Sequence, residues 1–143
     1  MDSASRFPLL GEPLSLDLIN TRVCRNDSIV DLLDSPAALN TWLHAQAKRL
    51  NWGGPANSAD WRAVHALRTA ITELFRARRE HNRPATMAVT TVNQAVSAPS
   101  ARMRLVWTGL EPRLAPLSIR LRRSALLGKL AADAITVLTG PQA

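Results

Sequence analysis

The spacing Trp61, Val64, Leu67, Ile71, Leu74 and Phe75 constrains this chain more than any other feature. Apolar residues three and four apart lie along one stripe of an α-helix, so the stretch from about Ala59 to His81 predicts a long helix with one face to bury. The preceding "NWGGPANS" reads as a turn, with Ser58 as the expected cap and Asp60 in the first turn, where its charge favours the helix dipole. One helix cannot cover its own stripe, so other elements must. "DSPAALNTWLHAQA" supplies a second helix, with Ser35 as N-cap, Pro36 at the first helical position and Leu39, Trp42 and Leu43 as its apolar stripe. Three further helices are predicted: Leu14 to Cys24 at the start, "ATMAVTTVNQAV" from Pro84 to a stop at Pro99, and about Ser124 to Leu138 at the end.

Before the last helix the period changes from three-and-four to two. Met103, Leu105 and Trp107 alternate with Arg102, Arg104 and Val106, and Leu117, Ile119 and Leu121 alternate with Ser118, Arg120 and Arg122. Both runs predict strands with one buried face, joined through "TGLEPRLAP". The expected fold is therefore α+β and mainly α-helical: about five helices with one two-stranded antiparallel hairpin before the last helix, in a single domain over residues 1–143. A lone hairpin is marginal, so it must lie on the helices or pair with a second copy of the chain. A homodimer is the expectation. The four tryptophans are read as core anchors, since three of them fall on apolar faces.

The net charge of +7 is divided unevenly, at −2 over residues 1–60 and +9 over residues 61–143. Clustered Lys and Arg can neutralise phosphates, so a nucleic-acid-binding module remains an alternative. Sixteen of the eighteen basic residues are Arg, however, and no helix sets several Arg beside Asn or Gln to read base edges. No specific DNA binding by this chain alone is expected. Cys24 is the only cysteine, which rules out an intramolecular disulfide and a cysteine-based zinc site. No run reaches the roughly 20 apolar residues of a membrane span, and the start lacks the features of a secretory signal. The expected setting is cytoplasmic, with no membrane partner.

His44, His65 and His81 stand singly, without metal-ligand spacing, and there is no glycine-rich phosphate loop or nucleophile motif. No catalytic residue, metal or cofactor is expected, although a small enzyme stays among the alternatives. Two features stand out instead. In "GEPLSLDLINT" the carboxylate, amide and hydroxyl of Asp17, Asn20 and Thr21 gather on one side of the opening helix, between Leu14 and Leu18. They are either a solvated face or a site for a polar ligand. Arg68 sits on the edge of the long helix's apolar stripe and Arg78 near its centre. A guanidinium there needs a carboxylate, phosphate or carbonyls to meet its donors, or must reach water along its stem. Asp17 is the candidate partner of Arg68.

Taken in order, "GEPLSLDLINT", "DLLDSPAALNTWL", "ALRTAITELFRA" and "VNQAV" resemble the ABATE domain, a family associated with stress-induced transcription regulation. The resemblance spans nearly the whole chain. It implies a small-ligand-sensing domain of a bacterial stress-response regulator, which in the family precedes a treble-clef zinc finger with a Cys-Gly-Asn-Arg motif that binds DNA. The chain has no zinc-ligating cysteines, so that finger is expected to be missing from it. By position, the resemblance points to Asp17, Asn20, Thr21 and Arg68 as residues facing a pocket for an unknown small polar ligand.

Overall fold

The computed structural model describes residues 12–50, 52, 54–97, 105–114 and 119–141. The elements run α1 (Leu14–Ile19), β1 (Arg22–Arg25), β2 (Ser28–Asp31), α2 (Pro36–Ala45), α3 (Ser58–Arg79), α4 (Thr86–Ser97), β3 (Leu105–Thr108), β4 (Glu111–Leu114) and α5 (Ile119–Leu138). Among the described residues the fold is α+β and mainly helical, with five helices as expected and two small antiparallel hairpins.

The long helix forms where the apolar spacing put it. Val64, Leu67 and Ile71 are buried, and α3 packs against α4 and α5, which also pack on each other. Its cap is Asn57 rather than Ser58: the Asp60 N–H donates to Asn57 Oδ1 at 2.8 Å while the Asn57 N–H donates to Asp60 Oδ2 at 2.9 Å. This reciprocal pair satisfies two donors that a helix start otherwise leaves open. Asp60 is fully buried, and its other oxygen accepts from Arg123 Nε of α5 at 2.7 Å. One side chain thus caps α3 and ties it to the last helix. For α2, Ser35 is the cap and Pro36 the first residue, as the sequence indicates.

Elsewhere the elements differ from the expectation. Helix α1 stops at Ile19, and β1 and β2 follow, joined by Asn26 and Asp27 at φ 51° and 62°. Both are left-handed, which matches the twist of a two-residue hairpin turn. The later hairpin closes early, with Gly109 (φ 63°) and Leu110 as its turn. Residues 119–122, expected in a strand, begin α5 instead. Residues 102–104, 117, 118 and the expected stop at Pro99 lie outside the described residues. Trp42 is fully buried as an anchor and Trp52 and Trp61 pack at the core edge, but Trp107 is 63% exposed. Arg78, expected to need a partner on the stripe, faces solvent.

Candidate functional site

The opening helix is two-faced in the opposite sense from a solvated one. Leu14, Ser15, Asp17 and Leu18 are buried, Leu16 and Ile19 only partly so, and Thr21 just beyond the helix is fully buried. The side carrying Asp17 is therefore the buried one, in a helix that packs on α5 and α3. A buried carboxylate and a buried guanidinium both need partners, and the structure gives each a different one.

Arg68 is 3% exposed, and its fork meets Asp31 of β2 at 2.8 Å and 2.5 Å. Its Nη1 also donates to the Thr21 hydroxyl at 2.8 Å, which in turn donates to the Leu18 carbonyl at 2.6 Å. His65, one turn earlier on α3, places Nε2 2.6 Å from the Leu33 carbonyl and 3.6 Å from Asp31 Oδ2. That carbonyl also accepts from the Trp61 indole at 2.9 Å. At Asp31 burial opposes ionisation. The hydrogen bonds from Arg68 and the Leu33 N–H, with the charges of Arg68 and His65, outweigh it and hold the carboxyl below its usual range. None of these side chains leaves a buried polar atom unmatched among the described residues. The cluster is a closed clasp between α3 and the first hairpin.

The second cluster is open. Asp17 Oδ2 accepts from Gln46 Nε2 at 3.2 Å and pairs with Arg49. Arg49 also donates through Nε and Nη2 to Gln46 Oε1 at 3.0 Å and 2.7 Å, and through Nη1 to the Glu12 carbonyl at 2.7 Å. The two acidic partners are thus exchanged relative to expectation: Asp17 pairs with Arg49 and Arg68 with Asp31, because the unforeseen hairpin carries Asp31 to α3. Asp17 is 2% exposed, yet its Oδ1 has no hydrogen-bond partner among the described residues. The Ser15 hydroxyl is likewise buried and unmatched, while its N–H donates to Asp133 Oδ2 of α5 at 2.7 Å.

Two surface grooves flank this open cluster. One, of about 520 Å³, runs along Asp17, His44, Gln46, Lys48 and Arg49. The other, of about 540 Å³, lies between Pro13, Leu14, Lys48, Arg49, Lys129 and Asp133. Lys48 and Arg49 form a wall common to both.

Of the residues singled out in the sequence, Asp17 lines a groove, Thr21 and Arg68 belong to the closed clasp, and the Asn20 side chain joins neither cluster among the described residues. Gln46, Arg49, Lys48, Lys129 and Asp31 were missed. The i, i+3 spacing of Gln46 and Arg49 just after α2 was the available signal, since a side-chain pair there can turn together toward α1. Among the described residues no group of three or more His, Cys, Asp or Glu is placed to hold a metal ion, and no helix is long and apolar enough to cross a membrane.

No curated protein and no solved structure matches the chain. A family model does match, over residues 12–141, and it takes in every element described above: the chain belongs to the ABATE family, described as "Putative stress-induced transcription regulator".

Proposed function

We propose that this domain is the ligand-sensing part of a transcription regulator, and that a small polar molecule binds at the Asp17–Gln46–Arg49 cluster. The observation that carries this reading is the Asp17 carboxylate: nearly fully buried, beside a groove, with Oδ1 lacking a donor. An unmatched buried acceptor forfeits about 1 to 3 kcal/mol, which a bound donor would restore. Arg49 adds a means of response, because it holds α1, the end of α2 and the Glu12 carbonyl together while 38% of its side chain is exposed. A ligand that engages Arg49 changes how the first helix is held. The reading assigns no catalytic step and no cofactor to the domain.

Native mass spectrometry of freshly purified protein tests it directly. A retained small molecule, lost in Asp17→Asn, is the expected result. Protein that carries no such molecule and gains none from a metabolite extract would sink the reading.

The arginines favour a sensor over a nucleic-acid module. Arg76 is tied to Glu73 and Glu80, Arg123 to Asp60, and Arg122 stacks over Trp52 at 5.7 Å. Each of these three side chains is drawn into a contact of its own, while Arg102, Arg104 and the Arg120 side chain lie outside the described residues. Binding to duplex DNA is expected to be electrostatic only, and to fall away as salt rises. Sequence discrimination of 10³ or more at near-physiological salt, the specific regime, would favour the nucleic-acid alternative.

The reading also makes the chain a homodimer through β3 and β4, where Leu105, Trp107 and Leu110 are 68%, 63% and 95% exposed.

A further inference from the structure

We infer that the ligand of this site is a small zwitterion carrying an ammonium and a carboxylate close together, the chemistry of a free α-amino acid, held across the wall that the two grooves share. The inference rests on the sensor reading above and names the chemical class of its ligand.

The charges along the two grooves that share Lys48 and Arg49 set two opposite demands. Lys48, Arg49 and Lys129 line the second groove against one carboxylate, Asp133, one of whose oxygens already accepts from the Ser15 N–H. Neither Lys48 nor Lys129 has an ion-pair partner among the described residues. This side calls for an anion. On the other side of Arg49 the buried Asp17 Oδ1 can only accept a hydrogen bond, so it calls for an N–H or O–H donor.

Simple ions meet only one demand. A plain carboxylate answers the cations but brings like charge toward Asp17 and leaves Oδ1 unmatched. A plain amine answers Oδ1 but meets Lys48 and Lys129, which have no ion-pair partner among the described residues, beside Arg49. A zwitterion set between them makes each of its charges face its opposite. Of the two side chains bonded to Asp17, Gln46 is 3% exposed whereas the Arg49 side chain is 38% exposed, so the ligand reaches the carboxylate by displacing Arg49. Arg49 then turns its fork onto the ligand's carboxylate, a geometry it matches in two parallel hydrogen bonds. Pro13, Leu14 and Ala132 form an apolar floor in the second groove, with Thr136 beside them, which fits a short aliphatic side chain better than a charged one.

The test titrates the full chain by calorimetry with each free standard α-amino acid, then with the N-acetyl derivative and the methyl ester of the one that binds. The expected result is saturable binding of at least one aliphatic amino acid, weakened tenfold or more when either end is blocked. Because Asp17→Asn can disturb folding, the exposed Lys129→Ala serves as the second variant. It is expected to weaken the free amino acid several-fold and to leave the already weak methyl ester unchanged. Equal binding of the N-acetyl derivative overturns the zwitterion while leaving a ligand site. Binding that Lys129→Ala does not alter overturns the placement. If no amino acid binds while native mass spectrometry still finds a molecule lost in Asp17→Asn, the class is wrong and the sensor reading stands; if no molecule is found either, both fall.

Discussion

At Arg68 one residue shows how far a sequence can be read and where reading stops. A guanidinium on the edge of an apolar stripe announces a buried charge, and it is buried. Its partner was not legible, because Asp31 reaches it through a hairpin that the periodicity did not reveal. The consequence for stability is direct. Arg68→Ala removes two bonds to Asp31 and one to Thr21, and is expected to cost about 2 to 3 kcal/mol in urea denaturation at neutral pH. A fully enclosed pair would cost roughly 3 to 5 kcal/mol, but the Asp31 side chain is 31% exposed and water recovers part of the loss. Asp31 also carries a pH signature. Its folded pKa lies below the ordinary 3.8, so the stabilisation is fully present above that value and is lost as pH falls through the lower folded value. Asp31→Asn is therefore expected to be less stable than the parent at pH 7 and to lose less of its stability between pH 5 and pH 3. Denaturation curves that fall in parallel over that range would show that Asp31 is not the group responsible. Glu73, whose pKa drops to about 2 through its bonds from Arg76 and the Ala85 N–H, also loses its contribution as pH falls through this window, so the comparison is between Asp31→Asn and a parent that shares Glu73.

Among the elements, those with repeated apolar spacing or a strong cap were legible, and the short ones were not. Helix α3 repeats its stripe over several turns, and α2 announces itself with Ser35 and Pro36. The strands β1 and β2 have four residues each, too few for alternation to show, and their turn is Asn26-Asp27 rather than the Asn-Gly that marks such hairpins. Asp27→Gly places the favoured residue at φ 62° and is expected to raise stability by up to about 1 kcal/mol. No gain in thermal midpoint would mean that the Asp27 side chain compensates for its backbone. At the other end of the chain, alternation at Ile119 and Leu121 looked like a strand, but two turns of a helix accommodate the same residues, and the preceding hairpin had already closed at Gly109. The start of α3 offers a test of how one side chain serves two elements. Asn57→Ala removes a cap and is expected to cost about 1 kcal/mol. Asp60→Ala removes the reciprocal cap bond and also strands Arg123, whose side chain is 25% exposed, so it is expected to cost about 2 to 4 kcal/mol. Equal losses in the two variants would show that the link to α5 adds nothing.

For the whole molecule, the number and order of the helices were legible in the sequence, whereas their packing and the site were not, because the site depends on which of two carboxylates meets which of two arginines. The same scale decides how copies associate. In a hairpin closed by two residues, Thr108 and Glu111 form the hydrogen-bonded pair next to the turn, so Trp107 and Pro112 form a pair whose backbone groups point outward. Pro112 then costs the ladder no bond, but it removes a donor from the outer edge of β4 and blunts it against pairing. Among the described residues the outer edge of β3 is unpaired, with the Trp107 and Leu105 N–H and carbonyl groups turned outward. Its residues Leu105–Thr108 carry no charge, and Glu111 and Arg113 make the hairpin as a whole neutral in a chain of net charge +7. Two copies brought together through the second half outside this hairpin meet mostly positive charge, since residues 61–143 carry +9. Approaching β3 to β3 about a two-fold axis, they meet neutral, apolar surface and complete one four-stranded sheet, since the two-fold makes the same edge complementary to itself. Trp107 is the residue to change, because it is 63% exposed and its loss leaves the helical core untouched. The parent chain is expected to sediment as a dimer at micromolar concentration and Trp107→Glu as a monomer with an unchanged helical circular dichroism spectrum. A parent that remains monomeric throughout the micromolar range, or a Trp107→Glu variant that stays dimeric, would place the association elsewhere or remove it.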